Sequence, residues 1–303
     1  MRDFRQKLVG LIIVSAFFAS AQCANSEAHS TPRSTSLRDR FSRSVCSGAG
    51  VDPAARAALH LVCRQRPEDH ARTSKQVIVI GFLGGFANPN DQKHPEVLFA
   101  EYLEEHYGSN LHAEVFSNHD EERALRYVIA LLDTNHDGVL SEKERGRARI
   151  IIYGHSWGAS ETTAFAGELR RHAIPVLLTI QLDLIPKVGQ KAFQIPINVR
   201  RAVNFYQAEG LLRGQTEIRA ADSTRTQIIG NFRLAYAKDH INCRNYSWFA
   251  RTFNKPHHEI ENDPKVWEKI ASFIDAEMST PLHANLASGY RRDVIPSLVS
   301  GGH

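Results

Sequence analysis

The chain has 303 residues, 42% of them hydrophobic, with 37 Lys and Arg against 33 Asp and Glu and a formal charge of +4. Those values belong to a globular protein with a sizeable core, in one large domain or two small ones, and they exclude a disordered chain. The weak net charge gives no reason to expect nucleic acid or an anionic membrane as a partner. At the N-terminus, Arg2, Arg5 and Lys7 precede an apolar run over 8–19, and Ala19-Ser20-Ala21 supply small residues for cleavage. That pattern predicts a signal peptide over 1–21, too short for a comfortable membrane span, so no integral membrane segment is expected after its removal. Its loss removes Arg2, Arg5, Lys7 and Asp3 and leaves a charge of about +2. The protein is expected in the periplasm or outside the cell.

Export places the four cysteines in an oxidising compartment. Cys23 stands where a lipoprotein carries its lipidated cysteine, but Gln22 is a poor residue before such a site, so anchoring there is not expected. Cys46 and Cys63 can close a short loop, worth about 3 kcal/mol by chain entropy, and Cys243 would then be free or pair elsewhere. Residues 22–72, rich in Ser, Thr, Arg and Ala, read as a flexible N-terminal segment with a short helix within 53–64. The globular domain is expected over 73–278, and 279–303 reads as a C-terminal tail.

Within that domain the first strand is Gln76-Val77-Ile78-Val79-Ile80, followed by the turn Gly81-Phe82-Leu83-Gly84-Gly85-Phe86. Apolar, β-branched runs at 111–116, 149–153, 176–182, 199–206 and 226–229 predict further strands, with helical stretches at 95–107, 121–132 and 156–172. Buried strands alternating with helices imply an α/β fold, a mostly parallel sheet with helices on both faces. The last helix is well marked: Asp263 caps it, Pro264 suits its first position, and Val266, Trp267, Ile270, Phe273 and Ile274 share one apolar face. The glycine turn lacks both a G-x-G-x-x-G pattern and a following acidic residue, which rejects dinucleotide binding.

Before the third strand lies Asp133-Thr134-Asn135-His136-Asp137-Gly138-Val139-Leu140-Ser141-Glu142-Lys143-Glu144, which matches the EF-hand calcium pattern D-x-N-x-D-G-x₅-E. Asp133, Asn135 and Asp137 offer side-chain oxygens, Val139 its carbonyl, Ser141 its hydroxyl directly or through water, and Glu144 both carboxylate oxygens. The polar exit segment 141–147 is interrupted by Gly146, and no second loop of this type exists to pair with it. A structural Ca²⁺ that braces the following strand is expected, rather than a sensor.

Gly154-His155-Ser156-Trp157-Gly158 sits between the strand run 148–153 and the helical stretch 159–169. A G-x-S-x-G that bridges strand to helix is a nucleophile elbow, and it resembles that of the α/β-hydrolase superfamily. The resemblance covers about residues 75–275 and implies an eight-strand parent sheet. About six strands are visible here, as in compact lipase- and cutinase-like members. It further implies a Ser, acid, His order along the chain, with the partners at carboxyl ends of later strands. Asp183 ends the apolar run 174–182, one strand after the elbow, as in lipases of the pancreatic type; Glu209, one strand later, is its rival. The histidine should come from the loop 254–264 before the final helix, where His257 and His258 are adjacent and chain physics alone does not separate them. Residues 256–267 resemble a segment of secreted bacterial α/β-hydrolases in which a histidine stands three before an aliphatic residue, and that register selects His257, three before Ile260. The oxyanion hole implied is the backbone N–H of Trp157 with that of Phe82 or Leu83.

The resemblance implies an exported serine hydrolase that cleaves a small-molecule carboxylic ester or thioester through an acyl-enzyme. Leu184, Ile185, Phe193 and Ile195 within 184–198 could form a lid, and Tyr236, Tyr246, Trp248 and Phe249 could line an apolar acyl pocket. The competing reading is a non-enzymatic, calcium-stabilised binding protein on a hydrolase fold, since a fold does not prove activity.

Overall fold

The computed structural model describes residues 76–91, 94–187, 194–236, 241, 243 and 254–279. The signal peptide, Cys23, Cys46, Cys63, the 22–72 segment, Phe193, Tyr246, Trp248, Phe249 and the 279–303 tail beyond Ser279 lie outside these residues.

Six strands form one parallel sheet: β1 (Val77–Leu83), β2 (Leu111–Ser117), β3 (Ile150–His155), β4 (Val176–Leu182), β6 (Val199–Gln207) and β8 (Gln227–Leu234), in the order β2-β1-β3-β4-β6-β8. Every residue of β1, β3 and β4 is buried, whereas the edge strands β2 and β8 are partly exposed. This explains the continuous apolar runs of the three central strands, which have no solvent face to keep polar.

Alternate side chains of these strands feed two cores. Val77, Val79, Ile151, Tyr153, Leu178 and Ile180 pack with the helices α1 (Pro95–Tyr107) and α6 (Pro264–Met278) through Phe99, Leu103, Trp267 and Ile270. On the opposite face Ile78, Ile80, Phe82, Ile150, Ile152 and Val176 meet the helices α2 (Glu121–Leu132) and α4 (Trp157–Arg171) through Val128, Phe165 and Leu169. The expected fold class, an α/β fold with a mostly parallel sheet and helices on both faces, is therefore the one observed. No helix among the described residues is long and apolar enough to cross a membrane.

The chain runs from β1 outward to β2, then crosses back over β1 to β3, so β1 and β3 are neighbours whose following helices cover opposite faces. Such a switch point opens a crevice at the carboxyl ends of the two strands, where ligands of open α/β sheets bind. Leu83 ends β1 there, and Ser156 follows β3.

Three expectations need correction. Residues 254–264 are not an extended loop. Lys255–Glu261 is a helix, α5, with Pro256 in its first turn, where the missing N–H is no loss, and it stops just before Asp263, which caps α6. Two short strands escaped notice, β5 (Gln194–Ile195) and β7 (Arg219–Ala220), which pair in parallel as a separate ladder. The lid reading fails for Leu184 and Ile195, both fully buried in the core beneath α4, and Tyr236 likewise belongs to the α6 core, its hydroxyl donating to Asp263 Oδ2 at 2.9 Å. The short helix α3 (Glu142–Arg145) lies where the polar exit segment was expected.

Candidate active site

Ser156 occupies the turn from β3 into α4 with φ 58° and ψ −120°, a left-handed backbone that a serine adopts only under constraint. The constraint is visible. Ser156 N–H donates to the Leu182 carbonyl at 3.0 Å, and its own carbonyl accepts from Ile185 N–H at 3.2 Å and Ser160 N–H at 3.3 Å. The flanking glycines are required by contact: a Cβ on Gly158 would stand 2.0 Å from the Phe82 carbonyl oxygen, and one on Gly154 would stand 2.4 Å from that of Gly158. The elbow can therefore be this tight only without side chains at both positions.

Three groups expected from the sequence meet in this crevice. Ser156 Oγ lies 3.0 Å from His257 Nε2, and His257 Nδ1 lies 2.6 Å from Asp183 Oδ2. All three are buried. Asp183 follows β4 with a left-handed φ of 46° and would be a costly buried charge if unpaired. It is paired: Gln207 donates its backbone N–H to Oδ1 at 3.0 Å and its side-chain amide to Oδ2 at 2.8 Å. Gln207 carries no sequence signal, since nothing marks the last residue of a strand as the partner of a loop aspartate. Glu209 is placed elsewhere, its carboxylate facing the Tyr236 N–H at 3.4 Å. His258, one residue along α5, turns to Glu261 instead, with Nδ1 3.6 Å from Oε2.

The expected oxyanion-hole segments also converge. Trp157 opens α4, where helix N–H groups lack intrahelical acceptors. The β1 turn passes so close to the elbow that a Cβ on Gly84 would stand 2.9 Å from Ser156 Cβ. Asn118, buried after β2, clamps this turn by donating its amide to the Leu83 carbonyl at 2.9 Å and the Gly85 carbonyl at 2.5 Å. Phe82 itself lies within β1, in register with Phe116 on one side and Gly154 on the other, which leaves Leu83 as the residue nearer the turn. An apolar surface flanks the nucleophile: Ile185 and Leu212 pack with Trp157, and the largely exposed Phe86 meets Trp157 edge-on at 5.7 Å.

Behind His257 lies a second buried group that sequence reading did not anticipate. His155 Nε2 is 3.2 Å from the His257 carbonyl, and its Nδ1 faces Glu261 and Glu96 at 3.5 and 3.7 Å. Burial pushes the His155 imidazole down to about 4. Burial and the neighbouring Glu261 charge push the Glu96 carboxyl up to about 8.

In the loop 133–144, His136 and Gly138 turn through left-handed conformations (φ 58° and 79°). Asp133 accepts from Gly138 N–H at 2.9 Å, Asp137 from Val139 N–H at 2.8 Å, and Asn135 Oδ1 from Asp137 N–H at 3.3 Å. Glu144 is engaged differently. Its Oε2 accepts from the Ser141 hydroxyl and N–H at 2.7 and 2.9 Å, and its Oε1 from the Thr134 N–H and hydroxyl, both at 2.8 Å. These bonds, led by the Ser141 hydroxyl, hold the carboxyl down at about 2 and form a capping box for α3. Asp133, Asp137 and Glu144 do not form a set whose oxygens all lie within 4.8 Å of one another. The donors are all oxygens and so suit calcium, and Glu144 is the one that would have to exchange partners.

No family model and no curated protein matches this chain. Among solved structures it is similar to a cutinase-like protein from Cryptococcus sp., at 15% identity and TM-score 0.35, over 67% of this chain and 95% of that one. It is also similar to an uncharacterized protein from Pseudomonas aeruginosa, at 10% identity and TM-score 0.32, over 69% of this chain and 45% of that one.

Proposed function

We propose that the protein is a serine hydrolase that cleaves carboxylic esters or thioesters through an acyl-enzyme. The observation that carries this reading is the unbroken hydrogen-bond chain from Ser156 Oγ through His257 to Asp183. A serine hydroxyl is a weak nucleophile until a base takes its proton. His257 Nε2 is placed to take it as Oγ bonds to the acyl carbon and the carbonyl π pair moves to oxygen. Asp183 holds the Nδ1 proton, fixing the tautomer and offsetting the imidazolium charge. The donors assigned to the developing oxyanion are the N–H groups of Trp157, at the helix start, and Leu83, at the end of β1 beside the elbow. Collapse returns the carbonyl, the C–O or C–S bond breaks, and His257 gives its proton to the departing alkoxide or thiolate. Water then repeats the sequence and releases the acid and the free serine.

The flanking apolar surface of Trp157, Ile185, Leu212 and Phe86 favours an apolar acyl group, which dispersion and desolvation would hold beside Ser156. Hydrolysis of p-nitrophenyl acetate, butyrate and octanoate tests the reading: turnover that disappears in Ser156→Ala is expected, with the better kcat/KM on the longer apolar chains. Tight binding of these esters without turnover would favour a binding protein instead.

Calcium is a further part of the proposal, held at Asp133, Asn135, Asp137, the Val139 carbonyl and Glu144, with Ser141 direct or through water, and acting on stability. A ligand that binds only the folded state stabilises it by about 2.7 kcal/mol at a hundredfold excess over Kd, which raises the melting temperature of a domain this large by several degrees. Calcium added to chelator-treated protein should raise the melting midpoint of the wild type and leave that of Glu144→Gln nearly unmoved. A wild-type midpoint indifferent to calcium would make the loop a turn closed by its own hydrogen bonds. Export through a cleaved segment over 1–21 completes the proposal, and N-terminal sequencing of secreted protein checks it.

A further inference from the structure

His94, Glu96, His155 and Glu261 come from three separate stretches of the chain: the start of α1, which supplies His94 and Glu96, the end of β3, and the end of α5. Glu96 is fully buried, and neither of its carboxylate oxygens has a hydrogen-bond partner. A buried carboxylate left in this state is strongly unfavourable, and here a second one, Glu261, lies beside it.

The spacing of the group is informative. His94 Nδ1 is 3.6 Å from Glu261 Oε1; His155 Nδ1 is 3.5 Å from Glu261 Oε2 and 3.7 Å from Glu96 Oε1. Hydrogen bonds between such groups close to 2.7–3.2 Å. Donors that surround one small cation are held apart instead: four ligands at 2.0–2.1 Å in a tetrahedron stand about 3.3–3.4 Å from one another. The His94 and His155 nitrogens stand near that separation from Glu261, on its two different oxygens. The ligand atoms of His94, Glu96 and Glu261 all lie within 4.8 Å of one another.

From this geometry we propose a buried zinc site held by His94, Glu96 and Glu261, with His155 packed against its carboxylates. Two carboxylates and the neutral His94 imidazole balance one divalent ion, which gives the buried Glu96 oxygens a partner and leaves the fourth position of a tetrahedron to water. Imidazole donors suit zinc and disfavour calcium, so this site is distinct in chemistry from the loop at 133–144. His94, 23% exposed, gives the ion a route from solvent. His155 Nδ1 faces both carboxylates of the site, and its Nε2 lies 3.2 Å from the His257 carbonyl, as an outer partner of the ion would. The ion thus ties the start of α1 to α5, the helix that carries His257. His258 Nδ1, 3.6 Å from Glu261 Oε2, stands at the margin of the cluster.

The zinc site is independent of the hydrolase reading and is tested by a metal readout. The intact protein, stripped with dipicolinate and reconstituted with cobalt(II), should take up one ion per chain and show the intense visible bands of four-coordinate cobalt, with zinc displacing it. Glu96→Gln, nearly isosteric, should lose the bands and weaken zinc affinity by more than the roughly 10–100-fold that losing an outer partner costs. His172→Ala, which removes the exposed histidine that follows α4, should leave the spectrum unchanged. Failure of the stripped wild type to bind cobalt or zinc above the level of Glu96→Gln, or a pale six-coordinate spectrum shared by both proteins, would overturn the site. Glu96 and Glu261 would then be a carboxyl pair sharing one proton.

Discussion

His257→Ala is expected to lower kcat on a p-nitrophenyl ester by about six orders of magnitude, the scale on which a serine–histidine pair loses function when either partner is removed. The reason is positional. His257 is the described histidine within hydrogen-bonding reach of Ser156 Oγ, at 3.0 Å, and α5 turns the adjacent His258 toward Glu261. Among the described residues no other histidine is hydrogen-bonded to Ser156 Oγ to take over as base, so the hydroxyl reverts to an ordinary alcohol. The substitution should leave the far-UV spectrum unchanged, which separates lost chemistry from lost folding. Activity near wild type in folded His257→Ala would remove the histidine from the mechanism.

Asp183→Asn should lower kcat by about 10⁴ while KM changes little, the pattern of a group that acts only in the transition state. The local bonds show why. Asp183 Oδ2 faces His257 Nδ1 at 2.6 Å and also accepts from Gln207 Nε2 at 2.8 Å, while Oδ1 accepts the Gln207 backbone N–H at 3.0 Å. An asparagine that keeps its oxygen on the Gln207 backbone must turn its NH₂ toward both His257 and the Gln207 amide. Two donors then face each other, and His257 is driven to the tautomer whose proton sits on Nε2, where it cannot accept the serine proton. Glu209→Gln is the companion measurement and should remain close to wild type. The reverse pattern, with collapse in Glu209→Gln and tolerance of Asp183→Asn, would move the acid one strand along.

Much of this arrangement was legible because it is written in short stretches of chain. The central strands announce themselves as unbroken apolar runs since both of their faces are covered, and Ser156 is bracketed by glycines that the elbow sterically requires. Asp183 was legible as a carboxylate ending a buried strand. The ends of α5 were not: a seven-residue helix with one proline and adjacent histidines has too little periodicity to separate from a loop, and its existence changes where the two histidines point. The apolar residues Leu184 and Ile195 suggested a lid because hydrophobicity does not say which surface a residue covers; they cover the core. Gln207, Asn118 and the His94, Glu96, His155 and Glu261 group were invisible for another reason. Their partners are distant in sequence, and no local pattern records a contact that only the folded sheet creates.

The most direct test of the central claim is labelling with a fluorophosphonate, which bonds only to a serine activated by its neighbours and needs no knowledge of the substrate. A single stoichiometric adduct, mapped by peptide mass analysis to Ser156 and absent from Ser156→Ala, is the result this account predicts. A folded wild type that stays unlabelled, or labelling that persists undiminished in Ser156→Ala, would contradict it.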